Sequence, residues 1–359
     1  MVADKKYFTK QLLKWDKLAN NRLMPWKGEK DPYRIWLSEI ILQQTRVEQG
    51  WHYYHRFIST FPNIKKLAKA AEEKIFKLWE GLGYYTRCKN LIATAKFIAK
   101  EKQGKFPDSY NEILNLKGVG PYTAAAIASF AFNLPHAVVD GNVFRVLSRF
   151  FGIKTPIDSS AGKKAFTLLA EELLDKKLPG IYNQAIMDLG ATICKPKNPL
   201  CINCPLQTKC VAYLQHSIDL LPVKTGKMIK KLRWMYYLIV EHNGKIYVKK
   251  RGAKDIWENL YEFILLETEA PMTEEKIKQT VLFKMITQKN KETKMRVSKI
   301  YKQQLTHQTI QGRFIQIKVN KVPPLQVYKA VTYQQLLKLP FPKFITGYLT
   351  ENHVQAFER

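Results

Sequence analysis

The chain has 359 residues, of which 46% are hydrophobic, a composition sufficient for buried cores in two domains. Lys and Arg number 59 against 30 Asp and Glu, and both halves are basic, with +15 in residues 1–218 and +14 in residues 219–359. No apolar run approaches the ~20 residues of a membrane span, and the start lacks the apolar segment of a signal peptide, so we expect a cytoplasmic protein. The charge predicts a polyanionic partner, most commonly nucleic acid.

The N-terminal part is predicted to be helical. Residues 1–24 are predicted to form a first helix, because an apolar stripe runs from Phe8 to Leu18, and Asp31 followed by Pro32 marks the start of a second. The second helix is apolar nearly all round, so we expect it to be buried. Glu39 lies in its middle beside Trp36, and burial there would raise the pKa of the carboxyl and suit a general acid. A glutamate on the one solvated edge of the helix is the alternative.

Residues 63–102 are predicted to form two helices joined by the sequence EGLGYYTRCKN. Its Gly–Leu–Gly turn is followed by Tyr84 and Tyr85, and then by the basic residues Arg87 and Lys89. Aromatic side chains interleaved with basic ones on a loop suit contact with bases and phosphates. Simple packing of both tyrosines in the core is the alternative.

A helix–hairpin–helix is predicted over residues 114–132, LNLKGVGPYTAAAIASFAF. Pro121 suits the first position of the second helix, because the backbone N–H there has no helical partner. Gly118 and Gly120 permit positive φ and leave room for close approach to the hairpin backbone. Together with the positive end of the helix dipole, these amides favour an anion such as a phosphodiester. An ordinary helical pair with glycines at its turn is the alternative.

The segment VVDGNVFRVLSR predicts a helix that starts after Asp140 and ends near Phe151. As a helix cap, Asp140 accepts backbone N–H groups and is expected to stay ionised. A neutral Glu39 and a charged Asp140 would form a pair with opposed pKa shifts, which is typical of an acid and an electrostatic stabiliser in one site. Capping alone is the simpler interpretation of Asp140.

Two helices predicted over residues 160–193 are followed by four cysteines with the spacing C-x6-C-x2-C-x5-C. They are Cys194, Cys201, Cys204 and Cys210. Four clustered cysteines in a protein expected in the cytoplasm indicate a metal site rather than disulfides. Zinc is the usual metal of such a set, but only one pair here has the C-x2-C spacing of zinc sites. A compact loop of four cysteines favours a [4Fe–4S] cluster.

The C-terminal part changes to a pattern of strands. Residues 219–232 are charged and lack apolar periodicity, so they are predicted to be a linker. The following sequence, RWMYYLIVEHNGKIYVKKR, predicts a hairpin that turns at Asn243 and Gly244. Residues 233–359 are therefore predicted to form an α+β domain, with further strands near 296–301 and 312–319 and helices near 273–287 and 332–339.

Along nearly its whole length the chain resembles the MutY-type adenine DNA glycosylases of the helix-hairpin-helix superfamily. The resemblance is carried by the cysteine block and by the motifs PWKGEKDPYRIWLSEIILQQT, GLGYYTR, LKGVGPYTAAAIASFAF and VVDGNVFRVLSR. It implies an all-α helix-hairpin-helix glycosylase domain with a four-cysteine iron–sulfur loop over residues 1–218, the linker 219–232, and a Nudix-like lesion-recognition domain over 233–359. It also implies a [4Fe–4S] cofactor, a monomer, and a DNA partner with adenine opposite 8-oxoguanine or guanine.

The resemblance assigns roles to residues by matching position. Glu39 is expected to protonate adenine N7 and then to help activate water, while Asp140 stabilises the oxocarbenium-like sugar. Tyr122 and Asn142 are expected to position these two groups. The remaining assignments concern binding: Arg22, Trp26 and Gln184 match positions that line the adenine pocket, and Gln44 and Tyr84 match residues that insert into the duplex.

Tyr122 separates two related activities. In the endonuclease III enzymes, the residue two after Gly-Val-Gly is a lysine that attacks the sugar as an amine. A phenol, with an ordinary pKa of about 10, forms no Schiff base. The resemblance therefore implies a monofunctional glycosylase.

In this family the C-terminal domain reads 8-oxoguanine through a short Phe-Ser-His loop, which Leu305, Thr306 and His307 match here. Thr306 keeps the hydroxyl group of the serine, whereas Leu305 lacks the aromatic ring of the phenylalanine. We expect recognition of 8-oxoguanine to persist. The acidic Mg²⁺-binding helix of Nudix pyrophosphatases is missing, because Leu266 stands where its Arg–Glu pair should begin. We therefore expect no nucleotide hydrolysis.

Three other functions were weighed against this one. An endonuclease III-like lyase acting on oxidised pyrimidines is disfavoured by Tyr122 and by the C-terminal domain. A lesion-binding protein without catalysis is disfavoured because Glu39 and Asp140 are intact. A Nudix pyrophosphatase with a DNA anchor is disfavoured because its acidic helix is absent.

Overall fold

The computed structural model describes residues 4–24, 27–226, 230–253, 255–288, 290, 294–321 and 325–352. The chain divides into two compact units, one of residues 1–69 and 90–226 and the other of residues 70–89 and 227–359. This division differs from the predicted domain ranges mainly in residues 70–89, which pack with C-terminal residues. Among the described helices, none combines the length and the apolar character needed to cross a bilayer.

The described residues between 4 and 226 are folded entirely into helices, turns and loops. The helices are α1 (Lys5–Ala19), α2 (Pro32–Leu42), α3 (Val47–Thr60), α4 (Ile64–Lys69), α5 (Glu72–Trp79), α6 (Tyr85–Glu101), α7 (Tyr110–Leu114), α8 (Pro121–Phe132), α9 (Gly141–Phe151), α10 (Ser160–Leu173), α11 (Pro179–Thr192) and α12 (Val211–Leu214). Short 3-10 turns lie at Cys201–Asn203, Gln207–Lys209 and Ile218–Leu220.

Side-chain caps determine where the two helices that carry the predicted carboxyl groups begin. The Asp31 side chain accepts the backbone N–H of Tyr33 at the start of α2. The Asp140 side chain accepts the N–H groups of Asn142 and Val143 at the start of α9. Both predicted helix starts are confirmed.

The core of the first unit forms around α11, which packs against α1, α8 and α9. Aromatic side chains fill this core, among them Phe8, Phe150, Phe166 and Tyr182. Full burial of one such side chain is worth about 1.5–3 kcal/mol. Helix α2 packs on α8, and nearly all of its residues are buried, as its sequence predicts. This packing brings residues from α2, α8, α9 and α11 to one place.

Helices α7 and α8 form the predicted helix–hairpin–helix. Gly118 has a φ of +80°, and a Cβ there would lie 2.7 Å from the Asn90 side chain, so glycine is required. Gly120 has a φ of −100° as the cap of α8, and a Cβ there would meet no heavy atom within 4 Å. Gly118 therefore uses the positive φ that glycine permits, whereas Gly120 is extended and leaves open space beside the hairpin backbone.

The second unit contains a mixed sheet with flanking helices. Its strands are β1 (Lys231–His242), β2 (Lys245–Lys250), β3 (Tyr261–Glu262), β4 (Ile264–Thr268), β5 (Lys294–Val297), β6 (Tyr301–Gln304), β7 (Gln308–Lys318) and β8 (Lys329–Thr332). Its C-terminal helices are α13 (Glu274–Gln279), α14 (Val281–Thr287), α15 (Tyr333–Lys338) and α16 (Lys343–Glu351), of which α16 was not predicted.

The long strand β1 organises this sheet. It pairs in parallel with β7 and antiparallel with β2 and β4, while β7 also pairs with β5 and β6. Asn243 and Gly244 have φ values of +47° and +71°, which confirms the predicted two-residue hairpin turn. The predicted lesion loop, residues 305–307, connects β6 to β7, and the Leu305 N–H donates to the Gln308 carbonyl at 2.8 Å.

Hydrogen bonds join residues 70–89 to the C-terminal part of the second unit. The Tyr261 hydroxyl donates to the Glu73 carboxylate at 2.6 Å. The backbone N–H of Phe341 donates to Glu80 at 2.8 Å. These bonds account for the place of α5 in this unit.

Gly312 provides a test of the β1–β7 pairing. It lies opposite Met235, and a Cβ at Gly312 would lie 1.7 Å from the Met235 carbonyl oxygen. We expect Gly312→Ala to lower the free energy of unfolding by about 2 kcal/mol or more, because backbone must shift to make room. The urea midpoint measures this loss.

Gly347 is the matched control for that variant. It lies within α16, where a Cβ would meet nothing within 4 Å, so Gly347→Ala should be neutral or slightly stabilising. Equal midpoints for the two variants would contradict the described packing of β7 on β1.

Candidate active site

Three side chains predicted to act in catalysis meet in the first unit. Glu39 projects from the middle of α2, Tyr122 from the first turn of α8, and Asp140 caps α9. The Tyr122 hydroxyl donates a hydrogen bond to the Glu39 carboxyl, and the charge of Asp140 acts on both groups. The packing of α2 on α8, and of α8 and α9 on α11, thus produces a cluster that spans about 100 residues of sequence.

Burial raises the pKa of Glu39, whose residue is only 6% exposed. Loss of hydration is the largest cause, the hydrogen bond from Tyr122 acts in the opposite direction, and the charge of Asp140 adds to the increase. The resulting pKa is about 7. The direction agrees with the prediction, and a carboxyl with this pKa can hold a proton at neutral pH and transfer it.

The pKa of Asp140 differs from the prediction. Burial raises it, and this outweighs the hydrogen bonds from Val143 and Asn142 and the charge of Arg145, which lower it. The predicted pair of opposed pKa shifts is therefore wrong, because both carboxyl groups lie in the same desolvated site. The described partners of Asp140 are all N–H donors, at 2.7–2.8 Å, which is the set that a carboxylate accepts.

Arg145 holds the start of α9 and was missed by the sequence analysis. Its guanidinium donates to Asn142 Oδ1 at 2.9 Å, and Asn142 Nδ2 donates in turn to Asp140 at 2.7 Å. It also donates to the backbone oxygens of Gly190 at 2.7 Å and Cys194 at 2.6 Å. The only signal in the sequence was an arginine on the apolar face of an amphipathic helix.

A cavity of about 190 Å³ opens beside Glu39. Its walls come mainly from α2, α11 and the segment of residues 27–30, and they include Ile35, Ser38, Ile181 and Gln184. Helix α8 contributes Phe130. Its volume is smaller than the ~300–1,000 Å³ of pockets for drug-sized ligands and suits one flat heterocycle. Gln184 and Glu39 thus line the same cavity, and a role of Gln184 in binding a base stays a prediction.

Arg22 and Gln184 are connected through a residue that sequence reasoning missed. Both donate to the buried carboxylate of Asp188 at 2.8 Å. Trp26, the third residue predicted to line the pocket, lies outside the described residues.

Gln44 and Tyr84, the two residues predicted to insert into a duplex, both have left-handed backbone. Their φ values are +57° and +49°, and both side chains are exposed. This conformation costs roughly 1–2 kcal/mol in a residue with a Cβ. Strain of this kind persists at positions that the surrounding structure fixes, often at functional sites.

The structure brings Tyr84 to the predicted lesion loop within the second unit. The Tyr84 hydroxyl lies 3.1 Å from Thr306 Oγ1, within hydrogen-bonding distance. On its other side, the guanidinium of Arg87 lies over the rings of Tyr84 and Trp79 at 5.2 and 5.3 Å. Tyr84 is thus held between a stacked arginine and the loop of residues 305–307.

The four cysteines of the C-x6-C-x2-C-x5-C block line one apolar cavity. All four are free thiols, and Arg149 donates to the Sγ of Cys194 at 3.5 Å. Within the described ranges, no group of three or more His, Cys, Asp or Glu side chains has the arrangement needed to hold a metal ion. The donor set that fits a cofactor here is the four thiols around their shared cavity, with an arginine facing the sulfur.

The raised pKa of Glu39 has a consequence for stability. The folded chain binds this proton more tightly than the unfolded chain, so wild type loses stability as pH rises from about 4.5 to about 7. Glu39→Gln removes this loss and should be more stable than wild type at pH 8, by up to about 3 kcal/mol, with no such gain at pH 4. Urea unfolding at both pH values measures the difference.

Glu112→Gln is the control for this experiment. Glu112 is exposed, and Lys102 and Ser109 hold the pKa of its carboxyl below its ordinary value, so the variant should show no gain at pH 8. A Glu39→Gln protein that is less stable than wild type at pH 8 would contradict the desolvated environment described for Glu39.

Comparisons with known proteins agree with this architecture. Residues 37–172 match the model of the HhH-GPD superfamily base excision DNA repair proteins, and residues 235–351 match that of the NUDIX domain. The adenine DNA glycosylase of Buchnera aphidicola subsp. Schizaphis graminum is 37% identical over 73% of this chain and 75% of its own length. That of Buchnera aphidicola subsp. Baizongia pistaciae is 36% identical over 88% of this chain and 87% of its own.

A solved structure also matches the helical part. The structure of a thermostable thymine-DNA glycosylase aligns with a TM-score of 0.55 at 30% identity, over 59% of this chain and 97% of that one. The helix–hairpin–helix and the Nudix-like sheet therefore agree with the two family models, and the chain belongs to the adenine DNA glycosylase family of base-excision repair enzymes.

Proposed function

We propose that this chain hydrolyses the N-glycosidic bond of adenine that lies opposite 8-oxoguanine or guanine in double-stranded DNA. The observation that carries the proposal is the cluster of Glu39, Tyr122 and Asp140, of which Glu39 lines a cavity the size of one base. Membership of the adenine DNA glycosylase family supports the choice of base.

Glu39 acts as the acid in this mechanism. Its carboxyl proton passes to adenine N7, and the electron pair of the C1′–N9 bond moves into the purine as that bond breaks. With a pKa of about 7, the group is protonated often enough at neutral pH to serve this step. The resulting carboxylate then takes a proton from the water that adds to C1′, which restores the acid.

Asp140 stabilises the sugar cation that forms between these two events. Its partners, the N–H groups of Asn142 and Val143, favour the ionised carboxylate and fix its direction. In a site from which water is largely excluded, a negative charge near a developing cation is worth more than in bulk water. Arg145 supports this arrangement by holding Asn142.

Tyr122 accounts for the expected absence of lyase activity. Burial raises the pKa of its hydroxyl well above the ordinary value, so the group stays neutral and donates to Glu39. A phenol at this position offers no amine to attack C1′. The proposal is therefore a monofunctional glycosylase.

Features of the first unit support a flipped adenine in duplex DNA. A base inside the stack cannot reach the cavity, so it must leave the helix. The hairpin amides, the open side of Gly120 and the start of α8 suit a backbone phosphate, and the net charge of +29 supplies attraction to DNA. Gln44, whose side chain is exposed, would enter the space left in the duplex.

The second unit supplies the candidate reader of 8-oxoguanine. Leu305, Thr306 and His307 form the turn between β6 and β7, and the hydroxyl of Thr306 meets that of Tyr84. A hydroxyl pair beside an aromatic ring offers hydrogen bonds and a stacking face to one base.

Cys194, Cys201, Cys204 and Cys210 would hold a [4Fe–4S] cluster. When bound, the cluster would supply iron–thiolate bonds that cross-link residues 194–210. Arg149 already fixes one end of this segment through the carbonyl of Lys195 at 2.7 Å. The cluster would thus complete the anchoring of a basic loop that carries Lys195 and Lys197.

Replacing one cysteine tests this cofactor. We expect Cys210→Ser to lose most of its iron and its visible absorption during purification, because three thiolates retain a cluster poorly. Cys88→Ala is the matched control, since this buried thiol lies on α6 outside the cysteine block and its loss should leave the iron content unchanged. Stoichiometric zinc in place of iron in the wild type would contradict the proposal.

Single-turnover release of adenine tests the reaction. We expect wild type to release adenine from a duplex with adenine opposite 8-oxoguanine, and Glu39→Gln to be slower by roughly 10²- to 10⁴-fold, because the acid is lost. The wild-type rate should fall about tenfold per pH unit above pH 7. Borohydride should trap no covalent adduct.

The same assay separates the alternatives. Tight binding without release would indicate a lesion-binding protein, and a strong trapped adduct would indicate a lysine nucleophile. Adenine opposite guanine should be released more slowly, and adenine opposite thymine serves as the control. Equal rates with all three partners would contradict the proposed mispair preference.

A further inference from the structure

Asp188 is a buried carboxylate that the mechanism above does not use. It lies on α11 with 0% of its surface exposed. Four side chains donate to its two oxygens: Gln184 Nε2, Arg22 Nη1 and Asn20 Nδ2 at 2.8 Å, and Lys27 Nζ at 3.2 Å. A charged group buried away from water is destabilising unless it is paired and hydrogen-bonded. The four donors supply this pairing, so the fold accommodates the carboxylate specifically.

This cluster stands directly behind the cavity beside Glu39. Two of its members, Lys27 and Gln184, line the cavity, while Asp188 lies beyond them. Asp188 also joins the segment after α1 to α11, because its partners come from both. It is therefore placed to control what the cavity wall presents to a ligand.

The orientation of the Gln184 amide follows from the charge of Asp188. The two residues are four apart on α11, so their side chains face each other. An ionised carboxylate only accepts hydrogen bonds, and therefore Gln184 must turn its NH2 group to Asp188. The carbonyl oxygen, Oε1, is then the group that Gln184 presents to the cavity.

We propose that Asp188 is a positioning residue for base selection, which fixes the Gln184 amide so that the cavity offers a hydrogen-bond acceptor. The inference rests on the proposed function and deepens it. Adenine carries an amino group that can donate to this acceptor. Hypoxanthine carries a keto oxygen at the same position, and two facing acceptors without a shared proton are unfavourable.

Asp188→Asn tests this role while keeping the shape of the side chain. An asparagine amide can donate as well as accept, so Gln184 becomes free to turn over. We measure single-turnover release of adenine and of hypoxanthine, each opposite 8-oxoguanine. The ratio of the two rates should fall on the order of tenfold in Asp188→Asn and in Gln184→Leu.

A double variant decides whether Asp188 acts through Gln184. If it does, Asp188→Asn combined with Gln184→Leu should show no further loss of the ratio beyond Gln184→Leu alone. Additive losses would overturn the proposal. Equal slowing of both bases in Asp188→Asn, with the ratio unchanged, would also overturn it, because that is the result of a purely structural role.

Two further measurements complete the experiment. Asp175→Asn is the matched control, since Asp175 caps the chain just before α11 through the N–H groups of Lys177 and Leu178 and should leave the ratio unchanged. If Asp188→Asn does not fold, the rate ratio of Gln184→Leu still tests the proposal, because that variant keeps Asp188 with its three other partners. An unchanged ratio in Gln184→Leu would overturn the proposal.

Failure of the proposed function is distinguishable from failure of this inference. Wild type that releases neither base would contradict the function alone. Base selection is then read as the ratio of Kd values for duplexes that carry 2′-fluoro analogues of deoxyadenosine and deoxyinosine. We expect this ratio of Kd values to change on the order of tenfold in Asp188→Asn and in Gln184→Leu, as the rate ratio does. Equal affinities of wild type for the two duplexes would overturn the inference.

Discussion

Desolvation of Glu39 is the constraint on which the candidate active site depends. A carboxyl group keeps its proton near neutral pH only if water is largely removed from it, and α2 achieves this by placing Glu39 among buried apolar side chains. The same burial destabilises the folded chain whenever the proton is lost. The remaining groups of the site, Tyr122 above all, are arranged around an acid that the fold holds at some expense of stability.

Asp140, the second carboxyl group of the site, is held by hydrogen bonds at the start of α9. Asp140 caps α9 and accepts a hydrogen bond from the Asn142 side chain, which in turn accepts one from Arg145. Arg145 also donates to the backbone oxygen of Cys194, the first cysteine of the block. Arg145 is buried with these polar partners, so it cannot move without leaving a charge or a carbonyl unpaired. The geometry at Asp140 is thereby tied to the path of the chain at Cys194.

Local patterns predicted much of the fold. Asp31 with Pro32, Asp140 before a glycine, and Asn243 with Gly244 each specify a cap or turn through contacts within a few residues, and all three are confirmed. Glu39 could be selected because an acidic residue in an apolar helix is exceptional. The association of α5 with the second unit could not be predicted, since it depends on partners far along the sequence.

The site was predicted less completely than the fold. The direction of the Asp140 pKa depends on a balance between burial and three hydrogen bonds, and only the folded environment determines which is larger. Asp188 was missed because a lone aspartate in a helix has no distinctive pattern, and three of its four side-chain partners come from a segment more than 160 positions away. The assignments to Glu39, Tyr122 and Asp140 as catalytic residues, and to the four cysteines as ligands, stay predictions.

The placement of α5 also has a consequence for how the chain is made. Glu80 bonds with Phe341, 261 positions later, so a ribosome synthesises this helix long before its partners emerge. Glu73, at the other end of this helix, has to wait equally for Tyr261. Completion of the second unit is therefore a late event of synthesis, whereas the helices of the first unit can assemble as soon as residue 226 has emerged.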